Sequence, residues 1–154
     1  MRVFLIMIMC ILGLSANSIS GDVKKMWLKD VNLTCAQTFV DMRKYPKWIA
    51  VLELKNGKKV VFGSVKVMMQ HFYENSHKYA SKMKAMYVSD YKSGDLIDAS
   101  EAFYVFGSRI VSIRGDDLIP FAKLSDAQEF SSQNSGHKIL KFSDITKRLI
   151  DYLR

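Results

Sequence analysis

Residues 60–72 read VVFGSVKVMMQHF and residues 118–130 read LIPFAKLSDAQEF. Each passes through a β-rich stretch, an aromatic, a short turn and an amphipathic segment closing on Phe72 or Phe130. In the first copy Val65, Met68, Met69, Phe72 and Tyr73 fall at helical spacing, with Ser64 placed as N-cap. Upstream, WIAVLEL (48–54) is β-rich, NGKK (56–59) carries the Asn-Gly turn signal and VVFGS (60–64) continues extended, which is a hairpin. KAMYVSDY (84–91) then reads as a strand and KSGD (92–95) as a turn. The second half repeats the order. AFYVFGS (102–108) and RIVSIR (109–114) are β-rich, DDLIPFA (116–122) is short and extended, LSDAQEFSSQ (124–133) is a helix and HKILKF (137–142) a strand. SDITKRLIDYL (143–153) closes the chain as a helix with Ser143 as N-cap. The expected fold is α+β: two β-β-α-β units packed as one compact domain, plus a C-terminal helix.

The ends divide differently. Residues 1–20, MRVFLIMIMCILGLSANSIS, carry one basic residue, an apolar run from Val3 to Leu14 and small residues with processing points after Ser18 or Ser20. This is a signal-peptide pattern, and the run is short of the roughly 20 residues that span a bilayer. The expectation is an exported protein, periplasmic or associated with a membrane surface. Residues 21–32 read as a loose polar segment and residues 33–154 as the domain. Removal of the leader takes Cys10 with it and leaves Cys35 as a lone thiol, which excludes an intramolecular disulfide framework.

The chain carries a formal net charge of +8. Much of the excess lies in Lys24, Lys25 and Lys29 and in the Lys55 to Lys59 turn, a distribution suited to an anionic membrane surface or an acidic protein. Nucleic acid is not expected as a partner, because the chain is exported and has no helix-turn-helix, zinc-finger or RNA-binding signature. Catalytic patterns are missing as well: no Ser-His-Asp order, phosphate loop, paired-cysteine zinc site or helical metalloprotease motif occurs, so an enzyme is not expected. His71 and His77, six residues apart, fall on different faces of a helix, and His137 reads as a turn residue. Asp90, Asp95 and Asp98 lack the spacing of a calcium loop and read as turn and strand-end residues.

Sulfur is the stronger signal. Beyond the leader stand Cys35 and six methionines, and thiolate with thioether selects copper(I) over harder ions. Met68 and Met69 belong to the core face of their helix. The candidates for a soft-metal site are Cys35, completed by Met42 or by some of His77, Met83 and Met86.

MYVSDYKSGDLIDASEAFYVFGS, followed by RGDDLIPF, LSDAQEF and KILKFSDI, resembles the NosL family of nitrous oxide reductase accessory proteins. The matching pieces are Val88 to Tyr91, Asp98 to Ser108, Arg114 to Phe121, Asp126 to Phe130 and Phe142 to Ile145, with KYPKW (44–48) upstream. The resemblance implies an exported copper(I)-binding protein that helps supply periplasmic nitrous oxide reductase, working with periplasmic or membrane copper-handling proteins. Two departures stand out. Where members show Cys-x-x-Cys-Gly-Met, this chain has Cys35, Ala36, Gln37, Thr38, Phe39 and Val40. Where the family's Met-Gly segment offers a methionine ligand, it has Arg114-Gly115, and a guanidinium cannot ligate copper. The alternative is therefore a metal-free interaction module of the same fold, with Arg114 facing a partner.

Overall fold

The computed structural model describes residues 18, 19, 24, 25 and 27–153. The apolar run of the leader and its early cysteine lie outside the described residues. No helix among the described residues is long and apolar enough to cross a membrane.

The elements follow the chain as β1 (Ser18–Ile19), β2 (Ala50–Leu54), β3 (Lys59–Phe62), α1 (Val65–Glu74), α2 (Ser76–Tyr79), β4 (Met83–Ser89), β5 (Leu96–Asp98), β6 (Phe103–Phe106), β7 (Leu118–Phe121), α3 (Leu124–Gln133), β8 (Lys138–Lys141) and α4 (Lys147–Tyr152). Three short 3-10 turns, Met42–Lys44, Pro46–Trp48 and Phe142–Asp144, complete the set. β2-β3-α1-β4 and β6-β7-α3-β8 are the two β-β-α-β units and α4 is the closing helix, so the fold is the α+β arrangement the sequence implies. The first unit lies in a five-stranded sheet ordered β1-β5-β4-β2-β3, and the second forms a three-stranded sheet ordered β7-β6-β8. Every strand pair is antiparallel.

Strand alternation explains how the two sheets share a core. On the small sheet Tyr104, Leu118 and Leu140 point into the main core with Val51, Leu52, Met68, Leu96 and Ile97. Val105, Ile119 and Phe121 point the other way and meet Ala127 of α3. The small sheet is thus covered on both faces. Tyr104 is fully buried, and its hydroxyl donates to the Ala99 carbonyl at 2.6 Å. Burial holds its phenol far above the usual range, so it remains a donor. Pro120 sits on β7, an edge strand, where its missing N–H is tolerated.

Several boundaries differ from the sequence reading. RIVSIR forms no strand; its only pairing is an isolated bridge between Ser112 and Gly115. Both sides of β6 are already occupied, by β7 and β8, so no ladder position is left for it. The last helix starts at Lys147 under a Thr146 cap whose hydroxyl accepts from the Leu149 N–H, rather than at Ser143. The Asp144 carboxylate accepts from the Lys141 N–H and winds residues 142–144 into a 3-10 turn instead. The segment read as loose is docked from Lys24 onward. Its Leu28 N–H donates to the Lys24 carbonyl, Lys24 and Leu28 are buried, and Trp27 packs edge-on against Tyr87 at 5.1 Å.

Candidate metal centre

Residues 33–42 form a narrow hairpin. Thr34 and Asp41 bridge antiparallel, the Cys35 N–H donates to the Val40 carbonyl and the Met42 N–H to the Leu33 carbonyl, each at 2.8 Å. This register puts Leu33, Cys35, Val40 and Met42 on one face. Cys35 and Met42 are diagonal cross-strand neighbours, a relation that spans about 7–8 Å between backbones and lies within reach of a long side chain. Both are 0% exposed, so the shared face is the one turned into the protein. The Ala36 N–H donates to the Val61 carbonyl at 2.8 Å, fastening the hairpin along the outer edge of β3.

The tip of the hairpin is tightly wound. The Phe39 N–H donates to the Cys35 carbonyl at 2.9 Å, and the Thr38 N–H points at Cys35 Sγ at 3.4 Å. A backbone donor of this kind helps balance the charge of a metal-bound thiolate. Phe39 is left-handed at φ 59 and 81% exposed. Phe39 thus holds a conformation that glycine adopts most easily, and glycine is the residue the resemblance implies here. Gln37 Oε1 and Thr38 Oγ1 are buried without a hydrogen-bond partner. Two and three residues on from Cys35 in the chain, they leave oxygen lone pairs unused, a weak complement to a soft ion.

Gly63, at the end of β3, lets the Arg114 turn close on this hairpin. A Cβ there would lie 2.9 Å from Ile113 Cδ1 and 3.3 Å from Met42 Sδ. The thioether and the residue before Arg114 therefore meet over a bare α-carbon. The turn is closed by paired bonds between Ser112 and Gly115, at 2.9 and 3.1 Å, with Gly115 at φ +85. Lys66, buried at the start of α1, donates from Nζ to the carbonyls of Arg114 (2.7 Å) and Leu153 (2.9 Å). Asp117 Oδ1 accepts from the N–H groups of Lys66 and Leu118, and Oδ2 makes no bond of ordinary geometry. Burial pushes the Asp117 carboxyl up, against the pull of the Ser64 hydroxyl and the Lys66 N–H. The Arg114 side chain is exposed and, among the described residues, has no ion-pair or hydrogen-bond partner. The position where the resemblance implies a methionine thus follows the residue that approaches Met42, but it carries an exposed cation whose own carbonyl is held by the Lys66 ammonium.

The remaining candidates lie elsewhere. Met86 pairs with Leu52 and Met83 with Leu54, while Ala85 pairs with Glu53, leaving Lys84 as an extra residue. This bulge reverses the parity of the strand, so two methionines three apart line the same shallow depression of about 210 Å3, with Asp98 and Phe142. Since Val61 pairs with Val51 and Val51 with Tyr87, β4 stands three strand spacings, roughly 14 Å, from the Cys35 backbone. Met83 and Met86 do not join Cys35. His77 is exposed on α2 and lines neither place. Among the described residues no cluster of three His, Cys, Asp or Glu side chains could hold a metal, and the candidate centre pairs the Cys35 thiol with methionine sulfur. Sequence reasoning missed Gly63 and Lys66. A glycine between a strand and a helix cap is the only trace of the first, and the second is hidden by a lysine's usual preference for solvent.

Sequence comparison with curated proteins finds no match. Among solved structures, the crystal structure of the copper chaperone NosL from Shewanella denitrificans superposes with a TM-score of 0.65 at 24% identity, covering 74% of this chain and 90% of that one. At that identity the likeness establishes the fold. The sequence model of the NosL family matches residues 20–150, which takes in both β-β-α-β units and the Cys35 hairpin, and the chain belongs to the NosL family.

Proposed function

We propose that this chain is an exported accessory protein that carries copper(I) on the Cys35–Met42 hairpin and passes it to the maturation of periplasmic nitrous oxide reductase or a related copper enzyme. The observation that carries the reading is the register of the hairpin, which sets a thiol and a thioether diagonally on one buried face. Copper(I) accepts two sulfur ligands readily, and the thiol releases its proton as the metal–sulfur bond forms. Membership of the NosL family and the likeness to a copper chaperone support the cargo. The apolar leader supports export, and delivery to nitrous oxide reductase follows from the family resemblance. No catalytic step is assigned.

The test is an anaerobic copper(I) titration of the purified protein against a chromophoric chelator, with Cys35→Ser, Met42→Leu and the double variant Met83→Leu/Met86→Leu alongside. One tight equivalent, lost in the first two and retained in the third, is expected. Retention in Cys35→Ser would move the site away from the hairpin.

A second reading is favoured by the cations. Arg114 carries a cation where the resemblance implies a methionine, the Lys66 ammonium holds the Arg114 carbonyl at 2.7 Å, and Thr38 and Val40 stand where the resemblance implies two sulfur ligands. A metal-free interaction domain of the same fold accounts for these changes. An absence of any competition for copper(I) by the wild-type chain would establish it.

A further inference from the structure

The docked N-terminal segment builds one wall of a groove. The Leu28 N–H donates to the Lys24 carbonyl, a bond of helical spacing, so Lys24 and Leu28 share the inner face of the segment and Lys25 and Lys29 its outer one. Lys24 Nζ is consumed internally, donating to the Gly94 carbonyl (2.6 Å), Ser89 Oγ (2.9 Å) and the Pro46 carbonyl (3.2 Å). Leu28, Leu33, Pro46 and Ile49 form the floor of the groove. Lys25, Lys29, Arg43 and Lys47 stand around it, and its volume is about 650 Å3. None of its lining residues among the described ones is a carboxylate. Arg43 is held by Asp41 at 2.9 Å and Lys47 lies over the Tyr91 ring at 5.1 Å, whereas Lys25 and Lys29 have no partner among the described residues.

We propose that this groove binds a short acidic segment of a protein partner, one whose carboxylates alternate with apolar side chains. The floor and the rim ask for different things: apolar groups to cover Leu28, Leu33 and Ile49, and negative charge to meet unpaired lysines. A single extended chain supplies both, because its side chains alternate in direction. A planar bilayer can meet the rim but cannot enter a concave site of this size, which lies in the range of ligand pockets. The groove also ends at the base of the metal hairpin. Leu33 accepts from the Met42 N–H, and Arg43 follows Met42 in the chain. A segment seated here brings its protein alongside Cys35 and Met42. Peptide capture stands without the copper reading; only the delivery it would serve rests on that reading.

The experiment uses the copper-free full chain and a fluorescent peptide alternating glutamate and leucine, read by anisotropy. Charge reversal at the rim, Lys25→Glu with Lys29→Glu, is expected to weaken binding by about tenfold or more. The same charge change placed away from the groove, Lys82→Glu with Lys138→Glu at two exposed positions, is expected to leave it within about twofold. Equal losses in both double variants would reduce the effect to net charge and overturn the proposal. Equal binding of a glutamate–serine peptide would overturn the role of the apolar floor. Binding to phosphatidylglycerol vesicles without peptide binding, abolished by the rim variant, would assign the face to a membrane instead. Because no copper is present, none of these results depends on the hairpin holding metal.

Discussion

Replacing Lys24 by methionine keeps the apolar stem and removes an ammonium group that three acceptors surround. Burial lowers the Lys24 pKa from 10.5 to about 8, opposed by the nearby Asp95 carboxylate. In the unfolded chain the amine keeps its proton up to 10.5, so between about 8 and 10.5 the unfolded state binds more protons than the folded one and stability rises with pH. Over a window from about pH 7.5 to 9.5 that linkage amounts to about 2 kcal/mol, and about 1 kcal/mol once the solvent-accessible part of the group is allowed for. Lys24→Met removes the linkage and leaves the Gly94 carbonyl without its side-chain donor, while the Pro46 carbonyl keeps only the Ser89 hydroxyl. The variant is expected to be less stable near neutrality by about 1–2 kcal/mol, and the gap is expected to widen by about 1 kcal/mol at the alkaline end. Urea denaturation of both proteins across the window measures it. A gap that stays constant or narrows as pH rises would refute the assignment of Lys24 as a buried, depressed ammonium.

The other expectations are more local. Arg114→Met puts the sulfur implied by the resemblance on the turn whose Ile113 approaches Met42 and removes a charge from that turn; on the proposed copper reading, copper(I) affinity, read by chelator competition, is expected to rise about tenfold. An unchanged value would show that the turn does not face the metal. Phe39→Gly places the residue suited to φ 59 at the hairpin tip, and because the ring is 81% exposed little packing is lost; a gain of about 0.5–1 kcal/mol in urea is expected, and a loss of more than about 1 kcal/mol would mean that the ring is held by a contact. Tyr104→Phe strands the Ala99 carbonyl and is expected to cost about 1–2 kcal/mol, with a near-neutral result counting against that bond.

The units that carry periodic patterns were legible without coordinates. LSDAQEFSSQ is the observed α3 residue for residue, and Ser64 caps α1 by accepting from the Val67 N–H at 3.3 Å. Elements whose existence depends on a vacant partner were not. β5 is three residues long, too short to show a period, and is defined by the edges of β4 and β1 that it pairs with. RIVSIR has the composition of a strand, but both places beside β6, the strand it follows, are taken by β7 and β8. The site divides the same way. Soft-ligand chemistry singled out Cys35 and Met42 from residue type, but their shared face follows from one bridge between Thr34 and Asp41. Met83 and Met86 come together only because Lys84 is an extra residue in the ladder. Lys24 looked like a solvated charge because nothing local reveals that Pro46, Ser89 and Gly94 converge on it.

The bond from the Ala36 N–H to the Val61 carbonyl has a consequence for the behaviour of the protein in bulk. β3 is the last strand of its sheet on that side, and the hairpin bearing Cys35 is what blunts it. Under the proposed copper reading, a movement that lifts the hairpin to uncover the Cys35 sulfur would also peel this cover away and offer a bare strand border to a neighbouring molecule. Cargo exchange and self-association would then compete for one piece of backbone. A protein filled with its ion is expected to resist clumping at high concentration better than an empty one, and light scattering of the two forms side by side measures that difference.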